Sequence, residues 1–143
     1  MGLAFYDSGH TLFNTNPFRA FFNGHLGGTY EEKIYLRNDD PSIYLTDLTV
    51  LPEFTGSADY GEFGETGWGI KLMYGERRPT EAEWDLVRSG DAIAVPNIGS
   101  TSATDTHTYY PVWVRISCPG NEAAQLRDTI RMRVLFVDRK VGA

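Results

Sequence analysis

Two stretches near the end of the chain alternate apolar and polar residues with a period of two. In Tyr109 to Ser117, Val112, Val114 and Ile116 share one face, and Trp113 and Arg115 share the other. In Thr129 to Val137, Ile130, Met132, Val134 and Phe136 are placed inward, and Arg131 and Arg133 outward. Only an extended chain sends successive side chains to opposite faces, so both stretches read as half-buried strands. The connection from Pro119-Gly120-Asn121 onward is about ten residues, a long hairpin loop or a switch between two sheets.

The same pattern recurs upstream. Lys33 to Arg37 alternates, with Ile34 and Leu36 on one face. A turn at Asn38-Asp39-Asp40-Pro41-Ser42 leads to a strand from Tyr44 to Val50, with Leu48 and Val50 inward, Asp47 and Thr49 outward, and Pro52 as its end. Trp68, Ile70 and Leu72 mark a further strand, and Ile93 and Val95 a short one before Pro96. About seven strands between turn signals predict an all-β protein, an antiparallel immunoglobulin-like β-sandwich. With 15 Gly, 7 Pro and 143 residues, the chain suits one turn-rich domain.

One helix interrupts the pattern. Thr80-Glu81-Ala82-Glu83 matches a capping box, in which the Thr80 hydroxyl and the Glu83 carboxylate satisfy each other's backbone amides. The helix is predicted at about 81–88, stopped by Ser89-Gly90 and packed through Trp84, Val87 and Leu86, as a crossover between two strands.

Residues 1–30 follow neither period. They hold seven of the 19 aromatic residues: Phe5, Tyr6, Phe13, Phe18, Phe21, Phe22 and Tyr30. They read as an extended N-terminal arm with one or two short strands, preceding a sandwich domain at 31–143. The arm must be covered, either by its own domain or by another subunit.

Charge is uneven along the chain. Residues 1–70 carry 3 basic and 10 acidic side chains, whereas residues 115–143 carry 6 and 3, within a total of −6. No Lys or Arg lies between Arg37 and Lys71, where seven acids fall, so a solvated acidic loop or a head-to-tail contact with a basic surface of a neighbouring copy is expected. The acidic total disfavours direct nucleic-acid binding. No run reaches the roughly 20 apolar residues of a membrane span. No signal-peptide pattern opens the chain, and the single Cys118 reads as a small hydrophobe at a strand end, in keeping with a reducing cytosol.

Catalytic patterns are weak. Ser100, Ser102, Asp105 and His107 crowd one polar loop, but no Gly-x-Ser-x-Gly elbow surrounds either serine. His25 reads as a turn residue. Asp59, Glu62 and Glu65 sit in an acidic loop at 53–65 that could take calcium or a glycan, although the spacing is not that of a helix–loop–helix calcium site. No cofactor or metal is expected. Arg115, Arg131 and Arg133 would line a sheet face, there to pair with carboxylates or to contact a partner.

Two segments carry a resemblance. One is Ile34-Tyr35-Leu36-Arg37-Asn38-Asp39-Asp40 followed by Tyr44-Leu45-Thr46-Asp47-Leu48-Thr49-Val50; the other is Tyr110-Pro111-Val112-Trp113-Val114-Arg115-Ile116 followed by Cys118-Pro119-Gly120. Over about 30–140 they resemble small immunoglobulin-like β-sandwich proteins of tailed-bacteriophage virions, found as capsid decoration or cement proteins and as tail or baseplate accessory proteins. The helix at Thr80–Ser89 is not a general feature of such sandwiches. The resemblance implies a non-enzymatic virion protein, made in the host cytoplasm, that binds major capsid or tail proteins and itself, with a trimer among its options. The candidate contact residues are Phe5, Tyr6, Phe13, Phe18, Phe21, Phe22, Arg115, Arg131 and Arg133. A carbohydrate-binding module using Trp68, Trp84 and Trp113 is the alternative of a different class, and a small enzyme ranks last.

Overall fold

The structure is a computed structural model, and it describes residues 2–12, 18–20, 28–54, 69–118 and 127–142. Eight strands and one short helix appear in these segments. The strands are β1 (Leu3–Tyr6), β2 (Phe18–Ala20), β3 (Gly28–Asn38), β4 (Ile43–Phe54), β5 (Gly69–Tyr74), β6 (Ile93–Val95), β7 (Tyr110–Cys118) and β8 (Arg127–Lys140); helix α1 (Glu81–Asp85) lies between β5 and β6. They form two four-stranded sheets, ordered β1-β3-β7-β5 and β2-β8-β4-β6. Every pairing is antiparallel. Among the described residues, the chain forms the expected all-β sandwich with one short helix.

The inner faces meet in one apolar core. Ile34, Leu36, Ile70, Leu72, Val112, Val114 and Ile116 come from the first sheet; Leu45, Leu48, Val50 and Val95 come from the second. The antiparallel register stacks these residues across strands, with Ile34 opposite Val112, Ile70 opposite Ile116 and Leu72 opposite Val114. Each such side chain contributes about 1.5–3 kcal/mol by leaving water. One buried polar residue, Asn38, is fully satisfied: its amide donates to the Asp40 carbonyl at 3.0 Å and its oxygen accepts from the Asp40 amide at 3.1 Å.

Leu45 and Leu48 are both buried although three positions separate them. Strict alternation would send one of them outward. The register of β4 against β8 shifts between Thr46 and Thr49, so that Asp47 and Leu48 together oppose Phe136. Asp47 takes the left-handed conformation, with φ 55°. This is a β-bulge, and it resets which face each residue of β4 occupies. Aspartate tolerates that backbone better than most residues.

Several expectations need correction. Phe136 does not join the core; Leu135, Phe136 and Val137 are 47%, 44% and 41% exposed in succession. Pro52 does not end its strand, since β4 continues to Phe54 with Pro52 opposite Met132. On its other side β6 reaches only Leu48 to Val50.

The capping box forms as expected: the Glu83 amide donates to the Thr80 hydroxyl at 3.2 Å and the Thr80 amide to the Glu83 carboxylate at 2.9 Å. The helix nevertheless stops at Asp85 rather than near 88. Leu86 and Val87 take i−3 carbonyls, and the amide of Gly90 donates to the Ile70 carbonyl at 2.7 Å, drawing the chain onto β5. Leu86 is left 87% exposed and adds nothing to the packing. The helix does cross between strands, and those strands belong to different sheets.

The segment read as an arm contributes to both sheets: β1 pairs with β3, β2 pairs with β8, and β3 already begins at Gly28.

Candidate interaction surfaces

The outer face of the first sheet divides into two zones. At one end α1 lies across it. Trp84 is 1% exposed beneath the helix, and its indole N–H donates to Glu31 at 2.9 Å. Arg115 forms a two-pronged pair with Glu81, both contacts at 2.9 Å, and its guanidinium lies 5.9 Å from the Trp84 ring. Arg78 reaches Glu31 at 2.9 Å, and Lys71 donates to the Trp84 carbonyl at 3.0 Å. Hydrogen bonding from Arg78 is the main cause that holds the Glu31 carboxyl below its ordinary range, and Arg115 does the same for Glu81. Arg115 therefore takes the carboxylate-pairing role, within its own chain.

Beyond the helix the same face is aromatic. His10 stacks on Tyr109 with ring centroids 3.8 Å apart, while Tyr6 and Tyr35 meet Tyr109 edge-on at 5.5 and 5.7 Å. Arg37 lies 5.0 Å from the Tyr109 ring and donates to its hydroxyl at 3.0 Å. The turn after β1 brings His10 there. Asp7 accepts from the amides of Gly9 and Thr11, and His10 adopts φ 65°. Tyr6 thus belongs to this cluster, whereas Phe5 turns to the other side, opposite Leu36, and packs on the core. The sequence singled out neither His10 nor Tyr109. Their meeting depends on a turn and on two strands distant in sequence.

The second sheet carries Arg131 and Arg133 on β8, so the fold does not bring them to the face of Arg115. Phe18 lies in β2, opposite Ile130. Phe13, Phe21, Phe22, His25, Trp68 and the residues of the acidic loop beyond Phe54 fall outside the described residues, as do the side chains of Phe18, Cys118 and Arg131.

The polar loop of Ser100, Ser102, Asp105 and His107 is held by its own hydrogen bonds. The Asp105 carboxylate accepts from the amides of His107 and Thr108, both at 3.0 Å, and from the Tyr110 hydroxyl at 2.9 Å. Burial pushes Asp105 upward, but these bonds outweigh it and bring its pKa to about 2. Burial, reinforced by Asp105, raises the Tyr110 hydroxyl to about 12. The two serine hydroxyls lie 3.1 Å apart, bonded to each other. On the inner face of the first sheet, Glu32 is half-buried and its pKa is raised, chiefly by burial and also by Asp7, against a hydrogen bond from Tyr30.

Among the described residues no cluster of three or more His, Cys, Asp or Glu is placed to hold a metal, and no helix is long and apolar enough to cross a membrane. No family model, curated protein or solved structure matches this chain.

Proposed function

We propose that the chain is a non-enzymatic structural protein of a tailed-phage virion, a capsid decoration or cement protein that acts by binding neighbouring subunits. The observation that carries the reading is the run Leu135-Phe136-Val137, three consecutive apolar side chains left in water on one strand. Stable monomers rarely leave such a run uncovered, and it suits a surface that meets another chain. The strand resemblances at Ile34–Asp40 and Tyr110–Ile116 supply the virion context. Immunogold labelling of purified virions, with antibody to this protein, tests the reading. Even labelling of heads supports a cement protein, labelling at one tail end moves it to a tail or baseplate accessory role, and unlabelled virions overturn it.

The carbohydrate-binding alternative loses one of its three platform residues. Trp84 is buried under the helix, and its indole nitrogen is engaged by Glu31.

A further inference from the structure

We propose that β1 passes between copies of this chain: the turn over residues 7–11 opens, and Leu3–Tyr6 pairs with β3 of a neighbouring copy in place of its own. The inference rests on the structural-protein reading above and names a second copy as the subunit bound.

The contacts of β1 can be made equally well between chains. Its only strand partner among the described residues is β3, in a register that runs from Leu3 opposite Asn38 to Tyr6 opposite Tyr35. Leu3 and Phe5 lie against the core, and Tyr6 meets Tyr109 edge-on at 5.5 Å. The Gly2 amide donates to the Asp39 carboxylate at 2.6 Å, and the Asp39 amide donates to the Gly2 carbonyl at 3.0 Å. The same segment of a second copy repeats every one of these contacts on the same β3. Exchange of an identical element therefore leaves the strand pairing unchanged, and only the connecting turn decides between the closed and exchanged forms.

That turn is set close to balance. Tyr6 and Leu12 are bridged, so the chain reverses within the five residues between them. The Asp7 carboxylate ties the reversal by accepting from the amides of Gly9 and Thr11 at 2.9 and 3.0 Å, and the Asp7 amide donates to the Thr11 carbonyl at 2.8 Å. Against these bonds, His10 sits at φ 65°, a left-handed backbone that is unfavourable for any residue but glycine. Its ring stacks 3.8 Å from Tyr109 and meets Tyr35 edge-on at 4.9 Å. An aromatic pair returns free energy of the same order as a left-handed residue costs, so the stack offsets the strain without greatly exceeding it. Short hinges under strain favour exchange, because opening relieves the strain while the exchanged strand keeps its partners. Opened, five residues span about 17 Å, which lets two adjacent copies trade strands.

The test compares the full-length protein with two hinge variants. His10→Pro forbids the positive φ and removes the amide that donates to the Asp7 carbonyl at 2.9 Å. Deleting Ser8, Gly9 and His10 leaves Asp7 and Thr11, a pair unsuited to the backbone of a two-residue hairpin. Light scattering after size exclusion should give both variants a mass at least twice the 16.0 kDa of one chain. His10→Asn, which tolerates the left-handed backbone, should remain a monomer at the same concentration. Pairing is read by isotope-filtered NMR on equal mixtures of labelled and unlabelled chains refolded together. Contacts between Phe5 of one chain and Leu36 of another report the exchanged strand, since these residues lie opposite each other across β1 and β3. The unaltered protein should give the same interchain contacts at lower intensity at about 1 mM, the weak end of measurable association. The proposal is overturned if the variants fold as monomers, if they form oligomers without these contacts, or if the unaltered protein shows none at that concentration. Should neither variant fold, the mixture of unaltered chains decides alone. Labelled virions with no interchain contact would retain the structural role and remove strand exchange; exchange with unlabelled virions would do the reverse.

Discussion

The Trp84 indole N–H and the Arg78 guanidinium close on the same Glu31 carboxylate, each at 2.9 Å, and so pin α1 to the outer face of the first sheet. A helix of five residues has no stability of its own, so its position depends on these contacts. Trp84→Phe keeps an aromatic ring but loses the indole hydrogen bond and part of the buried volume, and should cost about 1–3 kcal/mol. Trp84→Ala also empties the space under the helix and should cost about 3–5 kcal/mol. Chemical denaturation of both variants separates the two contributions, and equal losses would contradict the assignment.

The capping box makes a second, smaller demand. Thr80→Ala removes the acceptor for the Glu83 amide and should cost about 1 kcal/mol, whereas Thr80→Ser should be nearly neutral. Thermal melts of the pair check this, with near-ultraviolet circular dichroism reporting whether Trp84 keeps its asymmetric surroundings.

The bulge in β4 can be probed at one atom. Asp47 sits at φ 55°, where a β-branched residue is strained. Asp47→Val should destabilise by about 1–2 kcal/mol, while Asp47→Gly, free of that strain, should leave stability close to that of the parent. Gly99 is a sharper case: at φ +82° an added Cβ would lie 3.0 Å from the Ala103 carbonyl oxygen. Gly99→Ala should cost more than Asp47→Gly in the same urea titration.

Acid should unfold the protein through carboxylates that the fold holds ionised. Asp105 and Glu83 both titrate at about 2, below their ordinary values of 3.8 and 4.5. A group depressed in the folded state stabilises the fold above its unfolded value, and that contribution is lost as pH falls from there towards 2. Melting temperature should therefore decline across that window, and Asp105→Asn should flatten the decline.

Glu32 works in the opposite direction. Its raised pKa means that folding disfavours its charged form at neutral pH, a penalty relieved as pH drops. Glu32→Gln should raise the melting temperature at pH 7 and change it little at pH 3. A lowered melting temperature at pH 7 would show that the carboxylate is better partnered than its burial implies.

Much of the fold was legible because burial on one face writes a period of two into the chain. Ile34 with Leu36, and Val112 with Val114 and Ile116, lie where alternation put them. The cap at Thr80 was equally legible, since its two reciprocal hydrogen bonds span only three residues. Phe136 was misplaced because its burial depends on what lies across from it. Alternation assigns a direction and not a covering layer. The aromatic cluster was missed because His10, Tyr35 and Tyr109 are far apart in sequence, and no local pattern links them.

By itself the sequence determined the class of fold, the faces of its central strands and the start of its helix, all set by interactions within a few residues. Only the tertiary structure decided the order of strands within the sheets, the placement of the bulge at Asp47, and which apolar residues remained in water. Those outcomes depend on contacts across long separations, where one shifted residue in β4 re-registers a whole strand against its neighbour. The run Leu135-Phe136-Val137 belongs to this second group: its residues are ordinary strand residues in sequence, and become a candidate contact surface only because the fold leaves them exposed.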